Sequence, residues 1–385
     1  MTFPLARAFP AFATMPWTEV GTWPTAVEPM DALARELGLA AGQLWIKRED
    51  QSGGVYGGNK LRSLEPLLGE AQAAGATRIY ATGAFGSNQA LATVLHAQRL
   101  GLEAGALLFP QPHTETALKN LIAILGASRL VRALPHWSWL PFAMGAEKRR
   151  ATRAGVRSVV LPPGGATPVG TLGYASAALE LCEQVAAGAC PLPGRIYVGA
   201  GSVATSAGLL LGLRLALRTG RISTMPEVVA VRVTPWPVTG AFRIAGLAAR
   251  AGALVSRQLG SALVGGRLGK AELGATLRVT GAQLGKGYGY ATPAGEAAIA
   301  ASARTGGPPL DVCYSAKVMA ALMAEARAGG VSGPVLFWSS KSSRPLPPVD
   351  EAALAAAPAR MQRWIERARR GLAPHVEARQ LPPAA

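Results

Sequence analysis

Lys60 closes the tetrad Gly57-Gly58-Asn59-Lys60 at the mouth of an apparent helix over residues 61–73. Ahead of it an apolar strand runs into a charged cluster, Leu44-Trp45-Ile46-Lys47-Arg48-Glu49-Asp50, followed by a Gly- and Ser-rich loop from Gln51 to Gly58. Glycines before a helix start let the backbone turn tightly and approach a ligand closely. A lysine beside the positive end of a helix dipole loses its proton at lower cost, which leaves a nucleophilic amine. The alternative is a solvated lysine on a helix cap, the commoner fate of that residue. Two further stretches stand between a strand and a helix. Ser87-Asn88-Gln89 offers a hydroxyl and free N–H groups that can hold a carboxylate; an ordinary Ser/Asn cap is the other reading. The small residues from Gly199 to Gly208 let successive N–H groups converge on a phosphate. The same stretch reads as a GxGxxA dinucleotide fingerprint, although no acidic residue follows clearly at the expected spacing.

These stretches need a scaffold that delivers strand ends to one edge of a sheet. Residues 1–21 lack periodicity and read as an extended arm, followed by a helix over 30–37 and a strand over 43–47. From residue 61 helices and strands alternate. Strands are expected over 78–82, 104–109, 129–133 and 156–161, with helices over 61–74, to about 100, over 116–125 and over 144–153. After Pro163-Gly164-Gly165 the series resumes with helix 172–186, strand 195–198, helix 206–219, strand 227–233 and helices up to 265. The loop Gly285-Lys286-Gly287-Tyr288-Gly289-Tyr290 opens helix 293–305, Asp311-Val312-Cys313-Tyr314-Ser315 precedes helix 318–328, and strand 334–338 closes the sheet. Alternation at this spacing predicts an α/β fold whose parallel sheets are covered on both faces. A last helix is expected over 350–371.

The chain of 385 residues is long enough for two domains, and nearly half of it is apolar. Its net charge of +17 is scattered, with short basic runs only at Lys148-Arg149-Arg150 and around Arg367 to Arg370. Without a zinc-finger spacing or a basic stripe interleaved with aromatics, this is a solvated surface and not a nucleic-acid footprint. Three cysteines form no CxxC pair, and four scattered histidines give no metal constellation. Prolines interrupt the first residues, and the most apolar run, 208–217, is too short to span a bilayer and contains Arg214. The expectation is a soluble, cytoplasmic protein with no membrane partner.

Trp45 to Glu65, with GGNK and then Leu61-Arg62-Ser63-Leu64-Glu65, resembles the 1-aminocyclopropane-1-carboxylate (ACC) deaminase and D-cysteine desulfhydrase family of pyridoxal-phosphate enzymes. The match runs from about Thr22 to Ser340. It implies fold type II, like the tryptophan synthase β chain: two three-layer α/β/α domains with mostly parallel sheets and the cofactor in the cleft between them. The large domain would comprise residues 1–65 and 163–345, the small domain 66–162, and a C-terminal helical extension 346–385. The resemblance makes Lys60 the residue that carries pyridoxal 5′-phosphate as a Schiff base. It gives Gly201, Ser202, Val203, Ala204 and Thr205 to the cofactor phosphate, and Ser87, Asn88 and Gln89 to the substrate carboxylate. Asn88 would also bond the cofactor's ring hydroxyl oxygen. Tyr288 and Tyr314 match two tyrosines lining the active site, where a phenol moves protons only if its pKa is lowered. A core aromatic is the plainer reading of each.

Ser315 stands where ACC deaminases carry Glu and desulfhydrases Thr, beside the pyridine nitrogen. A serine there is read as bonding a largely neutral nitrogen, which argues against cyclopropane ring opening. Gln89 points the other way, since SNQ is the ACC deaminase form and SNH the desulfhydrase form. Val203 replaces a common glycine, Leu91 a common arginine, and Trp338-Ser339-Ser340-Lys341 the family's Thr-Gly-Gly. The expected function is α,β-elimination from a small amino acid of the D-cysteine type, to pyruvate and ammonia, by a homodimer. The alternatives are an ACC deaminase, a racemase or another lyase, a pyridoxal-phosphate protein without catalysis, and an NAD(P)-dependent oxidoreductase built on the Gly199 fingerprint.

Overall fold

Ten strands stand among the described residues: β1 (Val27–Pro29), β2 (Leu44–Arg48), β3 (Arg78–Ala84), β4 (Glu103–Phe109), β5 (Val131–Ala133), β6 (Ser158–Val160), β7 (Arg195–Ala200), β8 (Glu227–Arg232), β9 (Leu277–Thr280) and β10 (Val335–Ser339). The structure, a computed structural model, describes residues 3–260 and 265–380. They form a six-stranded sheet in the order β1-β2-β10-β7-β8-β9 and a four-stranded sheet in the order β5-β4-β3-β6. Only the β1–β2 pair is antiparallel. The expected helices up to residue 265 resolve into Ala241–Leu259, and residues 261–264 lie outside the described residues. The edge strands β1 and β9 had no counterpart in the sequence reading, because each is short and only partly buried.

The chain divides into two units, Met1–Ala73 with Gly164–Arg344, and Ala74–Pro163 with Pro345–Ala385. In the first, β10 lies between β2 and β7, with Phe337 opposite both Ile46 and Tyr197. All five of its residues are buried, as a central parallel strand requires. One face is covered by helices Pro168–Ala186 and Ala204–Arg218, whose Leu179, Leu209 and Leu213 join Ile196 and Trp338 in one core. A Cβ on Gly173 would stand 1.8 Å from the Arg62 carbonyl oxygen, so only glycine lets helix Lys60–Ala73 approach helix Pro168–Ala186 so closely. The other face packs against helices Asp31–Glu36, Pro293–Arg304 and Ser315–Arg327 through Leu33, Ala298, Met319 and Leu322.

A buried charge cluster links β2 to two of these helices. Arg62 donates to Glu49 and Glu180 at 2.7–3.0 Å, and Lys47 donates to Glu180 at 2.6 Å and to the Gln184 side chain at 2.7 Å. Burial would push the Glu180 carboxyl up, but the Arg62 and Lys47 charges overcome that and hold it at about 2. The Trp23 ring lies 3.4 Å from the Arg62 guanidinium, and the Tyr174 hydroxyl donates to Glu49 at 3.2 Å.

The first residues are not an extended arm. Pro4, which needs no N–H partner in a first turn, starts helix Pro4–Ala8, and a 3-10 turn follows at Pro10–Phe12. Leu5 and Phe12 enter the core beside Leu172. Glu65 holds the segment that follows, accepting from the Trp17 and Trp23 indoles and from the N–H groups of Val20 and Gly21.

In the second unit, helix Leu140–Arg153 covers the sheet through Leu140 against Tyr80, Leu107 and Val160. Helices Asn88–Arg99 and Glu115–Ala127 follow β3 and β4. The single helix expected over 350–371 is two, Glu351–Ala355 and Ala359–Gln380, because Pro358 interrupts the run. Residues 381–385 lie outside the described residues. Among the described residues no helix is long and apolar enough to cross a membrane. Nor does any group of three His, Cys, Asp or Glu there stand ready to hold a metal ion.

Replacing Glu180 by Ala strands Arg62 and Lys47 as buried charges short of a counter-ion. The expected loss is about 3–5 kcal/mol, read as a lowered urea midpoint. Glu28→Ala removes only the half-exposed partner of Arg48, and is expected to cost within about 1 kcal/mol. Equal effects from the two substitutions would refute the buried-charge account.

Candidate active site

Lys60 is the first residue of helix Lys60–Ala73 and is partly buried. Its amine is lowered from the ordinary lysine value to about 8, and removal from water is the cause. The direction is the one expected of a lysine at a helix start, and burial supplies it. Gly164 adopts φ 67°, and a Cβ built on it would stand 3.8 Å from the Lys60 Nζ and 1.9 Å from the Ser202 Oγ. Only glycine therefore keeps open the space that the amine and this hydroxyl border. The tetrad itself is pinned. Asn59 N–H donates to the Ser340 carbonyl at 3.1 Å, and its side-chain amide donates to the Thr205 hydroxyl at 3.3 Å.

Between β7 and helix Ala204–Arg218 the chain makes a sharp turn at Val203, with φ 70° and ψ −11°. Among the described residues it is the only residue other than glycine with positive φ. A β-branched residue in that region costs about 1–3 kcal/mol, so the Val-for-Gly departure keeps the turn at the expense of strain. Burial of its side chain in the core offsets part of the cost. No side chain of the cap residue takes up the first N–H groups of this helix, and the Ser206 hydroxyl in its first turn is buried without a partner. Thr239 donates to the Gly201 carbonyl at 2.7 Å and Thr234 to the same oxygen at 3.4 Å, while the two threonine hydroxyls contact each other.

A Cβ on Gly201 would stand 3.2 Å from the Tyr314 hydroxyl. Tyr314 donates to the Tyr288 hydroxyl at 3.3 Å, with the rings nearly perpendicular and 5.9 Å apart. Burial raises both phenols well above their usual value. The lowered phenol that proton removal would require is absent, and both groups stay protonated at neutral pH. Ser315 opens helix Ser315–Arg327 and is buried. Its hydroxyl donates to Asp311 Oδ1 at 2.7 Å and accepts from the Asp311 N–H at 2.7 Å. The Asp311 carboxylate also accepts from the N–H groups of Cys313, Tyr314 and Ser315.

The second unit holds Ser87, Asn88 and Gln89 at the start of helix Asn88–Arg99. The Ser87 hydroxyl caps that helix, accepting from Ala90 N–H at 3.2 Å. Gln89 is buried, its amide nitrogen donating to Thr93 and its amide oxygen unpartnered. Asn120 donates to the Gly86 carbonyl at 2.9 Å and to Asn88 Oδ1 at 2.7 Å. A carbonyl can only accept, so the Asn120 nitrogen must face it, and the Asn88 oxygen is committed to Asn120. Asn88 therefore presents its amide nitrogen elsewhere. Trp364, from the C-terminal helix, stands edge-on to Phe85 at 5.6 Å and donates to the Gln111 carbonyl at 2.8 Å.

The first unit thus gathers Lys60, Ser202, Thr205, Tyr288 and Tyr314 around the Gly201–Val203 turn. The sequence reading missed Gly164, Thr234, Thr239, Asp311 and Asn120 as contributors. The paired glycines after Pro163 signalled the first; the hydroxyl and amide residues had no local signal, since their partners are distant in sequence.

The sequence profile of the pyridoxal-phosphate dependent enzymes matches residues 18–340. Nocardicin C-9′ epimerase of Nocardia uniformis subsp. tsuyamanensis is 34% identical over 87% of this chain and 97% of its own length. D-cysteine desulfhydrase of Salmonella paratyphi C (strain RKS4594) is 31% identical over 82% of this chain and 90% of its own. Among solved structures, an ACC deaminase homologue superposes with a TM-score of 0.70 at 29% identity, covering 87% of this chain and 94% of that one.

Without cofactor, acylation of Lys60 by limiting acetic anhydride is expected to rise with pH through a midpoint near 8, read by peptide mass spectrometry. A midpoint at the ordinary lysine value of about 10.4 would remove burial as an influence on this amine. Trp364→Ala, which leaves Phe85 and the Gln111 carbonyl uncovered, is expected to cost about 3–5 kcal/mol. Faster amide hydrogen exchange in helix Asn88–Arg99 is the readout, and unchanged protection there would refute it.

Proposed function

The chain belongs to the family of pyridoxal-phosphate dependent enzymes, and we propose that it removes the α proton of a small amino acid with a β leaving group, of the D-cysteine type. The products are pyruvate, ammonia and the released β substituent. The observation that carries this reading is the Lys60 amine, lowered by burial and bordering the space that Gly164 leaves open. An amine that is about half neutral at pH 8 is both a nucleophile and a base.

The residues present fit the cofactor. Gly164 leaves room at the Lys60 amine, and the first turn of helix Ala204–Arg218 offers N–H groups and the unpartnered Ser206 hydroxyl to a phosphate. When bound, pyridoxal phosphate supplies the electron sink for charge left at the substrate α carbon. Lys60 would hold it covalently, and its free amine would take the α proton. Gly201, Ser202, Val203, Ala204 and Thr205 would hold the phosphate, with Asn59 orienting the Thr205 hydroxyl. Asn88, its oxygen held by Asn120, would donate to the cofactor's ring oxygen, and Ser87, Asn88 and Gln89 would take the substrate carboxylate. Tyr288 and Tyr314, protonated at neutral pH, serve as hydrogen-bond donors. The β substituent leaves with the bonding electron pair, and water completes hydrolysis to ammonia and pyruvate.

Epimerisation is the second reading, favoured by the alignment with nocardicin C-9′ epimerase over nearly its whole length. It shares the first step, after which a proton returns to the opposite face and no β bond breaks. ACC deamination is kept beside it for the Gln89 match and the structural likeness to the ACC deaminase homologue. The dinucleotide reading of Gly199 to Ala204 is set aside with the family membership. A homodimer is carried over from the resemblance. A cytoplasmic setting is supported by three cysteines that are all buried and free.

The test incubates wild type and Lys60→Ala with D-cysteine, ACC and a set of D- and L-amino acids in deuterium oxide. Elimination releases pyruvate; epimerisation puts deuterium at the α carbon without pyruvate. Lys60→Ala is expected to lose the covalent cofactor adduct and at least a thousandfold in rate, as befits removal of the base (about 4 kcal/mol or more). A variant that kept either would overturn the assignment of Lys60.

A further inference from the structure

Each hydrogen bond at Ser315 has a direction, and together they leave it little freedom. A serine hydroxyl has one proton to give and two lone pairs. The proton goes to Asp311 Oδ1 at 2.7 Å, since a carboxylate only accepts, and one lone pair takes the Asp311 N–H at 2.7 Å. One lone pair remains. Asp311 is held in turn: Oδ1 accepts from the Ser315 N–H at 2.9 Å, and Oδ2 accepts from Cys313 and Tyr314 at 3.1 and 3.0 Å. With the serine hydroxyl these are four donors, about the full capacity of a carboxylate. Both residues are buried, so water does not replace a donor that turns away.

We propose that Asp311, acting through Ser315, holds the cofactor's ring nitrogen in its protonated form. This rests on the reading in which pyridoxal phosphate is bound at Lys60 with its ring nitrogen against Ser315. A neutral pyridine nitrogen is an acceptor, and the Ser315 proton is already committed. A protonated nitrogen brings its own hydrogen, which the remaining lone pair accepts. The proton on the nitrogen comes from solvent, and its charge is balanced through the hydroxyl by the Asp311 carboxylate. Asp311 is a positioning residue, and the pair does the work of a single carboxylate at that place. The serine therefore does not weaken the electron sink as its residue type suggests, and it no longer counts against ring opening.

The test is a nitrogen NMR shift on holoenzyme reconstituted with pyridoxal phosphate isotope-labelled at the ring nitrogen. Peptide mass spectrometry reports the adduct at Lys60 in the same samples. The wild type is expected in the pyridinium range, Ser315→Thr beside it, and Ser315→Ala and Asp311→Asn in the neutral-pyridine range. A purely structural role for Asp311 would leave the shift unmoved in a variant that still carries the adduct. The wild-type spectrum decides even if both disruptive variants fail to fold. A neutral nitrogen with the Lys60 adduct intact overturns this proposal and leaves the cofactor assignment standing; no adduct at Lys60 overturns both.

Discussion

Arg62 joins Glu49 and Glu180 through four hydrogen bonds out of reach of water, on the same helix turn that Lys60 opens. Moving such ions from water costs several kcal/mol apiece unless geometry and partners are complete. Here they are complete: two cations face two carboxylates, and Thr25, Tyr174 and Gln184 take up remaining donors and acceptors. The cluster is better understood as a registry device than as a source of stability. A helix displaced by half a turn would leave an uncompensated buried charge, so the start of helix Lys60–Ala73 has one permitted place. The position of the amine follows from that place.

Around the amine the chain combines strain with restraint. Val203 holds a backbone conformation that suits glycine, and the adjoining Gly201 carbonyl is gripped by two threonine hydroxyls. Tyr314 lies against Gly201 from a different element, and Asn59 reaches Thr205 from the lysine tetrad. The turn is thus defined from three directions, which is the condition under which a strained residue persists. Polar direction is fixed as well as position: Asn120 decides which end of Asn88 is presented, and Asp311 decides where the Ser315 proton points.

Much of this architecture is written locally in the chain. Gly-Gly-Asn-Lys ahead of an amphipathic run marks a helix start at Lys60, and the small residues from Gly199 mark a turn into a helix. Alternating periodicity places most strands within a few residues. What escaped the sequence has physical reasons. β1 and β9 are short edge strands without a buried run, and the N-terminal helix depends on a distant core for its apolar face. Pro358 splits the last helical run in two, which periodicity alone does not show. At the site, residue types were legible and their hydrogen-bond partners were not. Ser315 looks like a donor in isolation, and the Asp311 carboxylate that takes its proton stands four residues back, just ahead of the helix that Ser315 opens. Val203 showed the reverse, an unfavourable residue at a place the fold nevertheless enforces.

The strand order has a consequence for biosynthesis. β10 is made last of the ten strands yet fills the centre of the larger sheet, between β2 and β7. Until it emerges from the ribosome, the nascent chain holds two half-sheets with open inner edges, the kind of surface that invites wrong pairing. The lysine turn waits on the same event, because Gly57 and Asn59 bond to Ser342 and Ser340, which follow directly on that strand. A chain interrupted before β10 would carry every residue of the lysine tetrad and still lack the frame that shapes it. Translation therefore delivers the lysine and the frame around it at different times, and completes that frame only when the sheet can close.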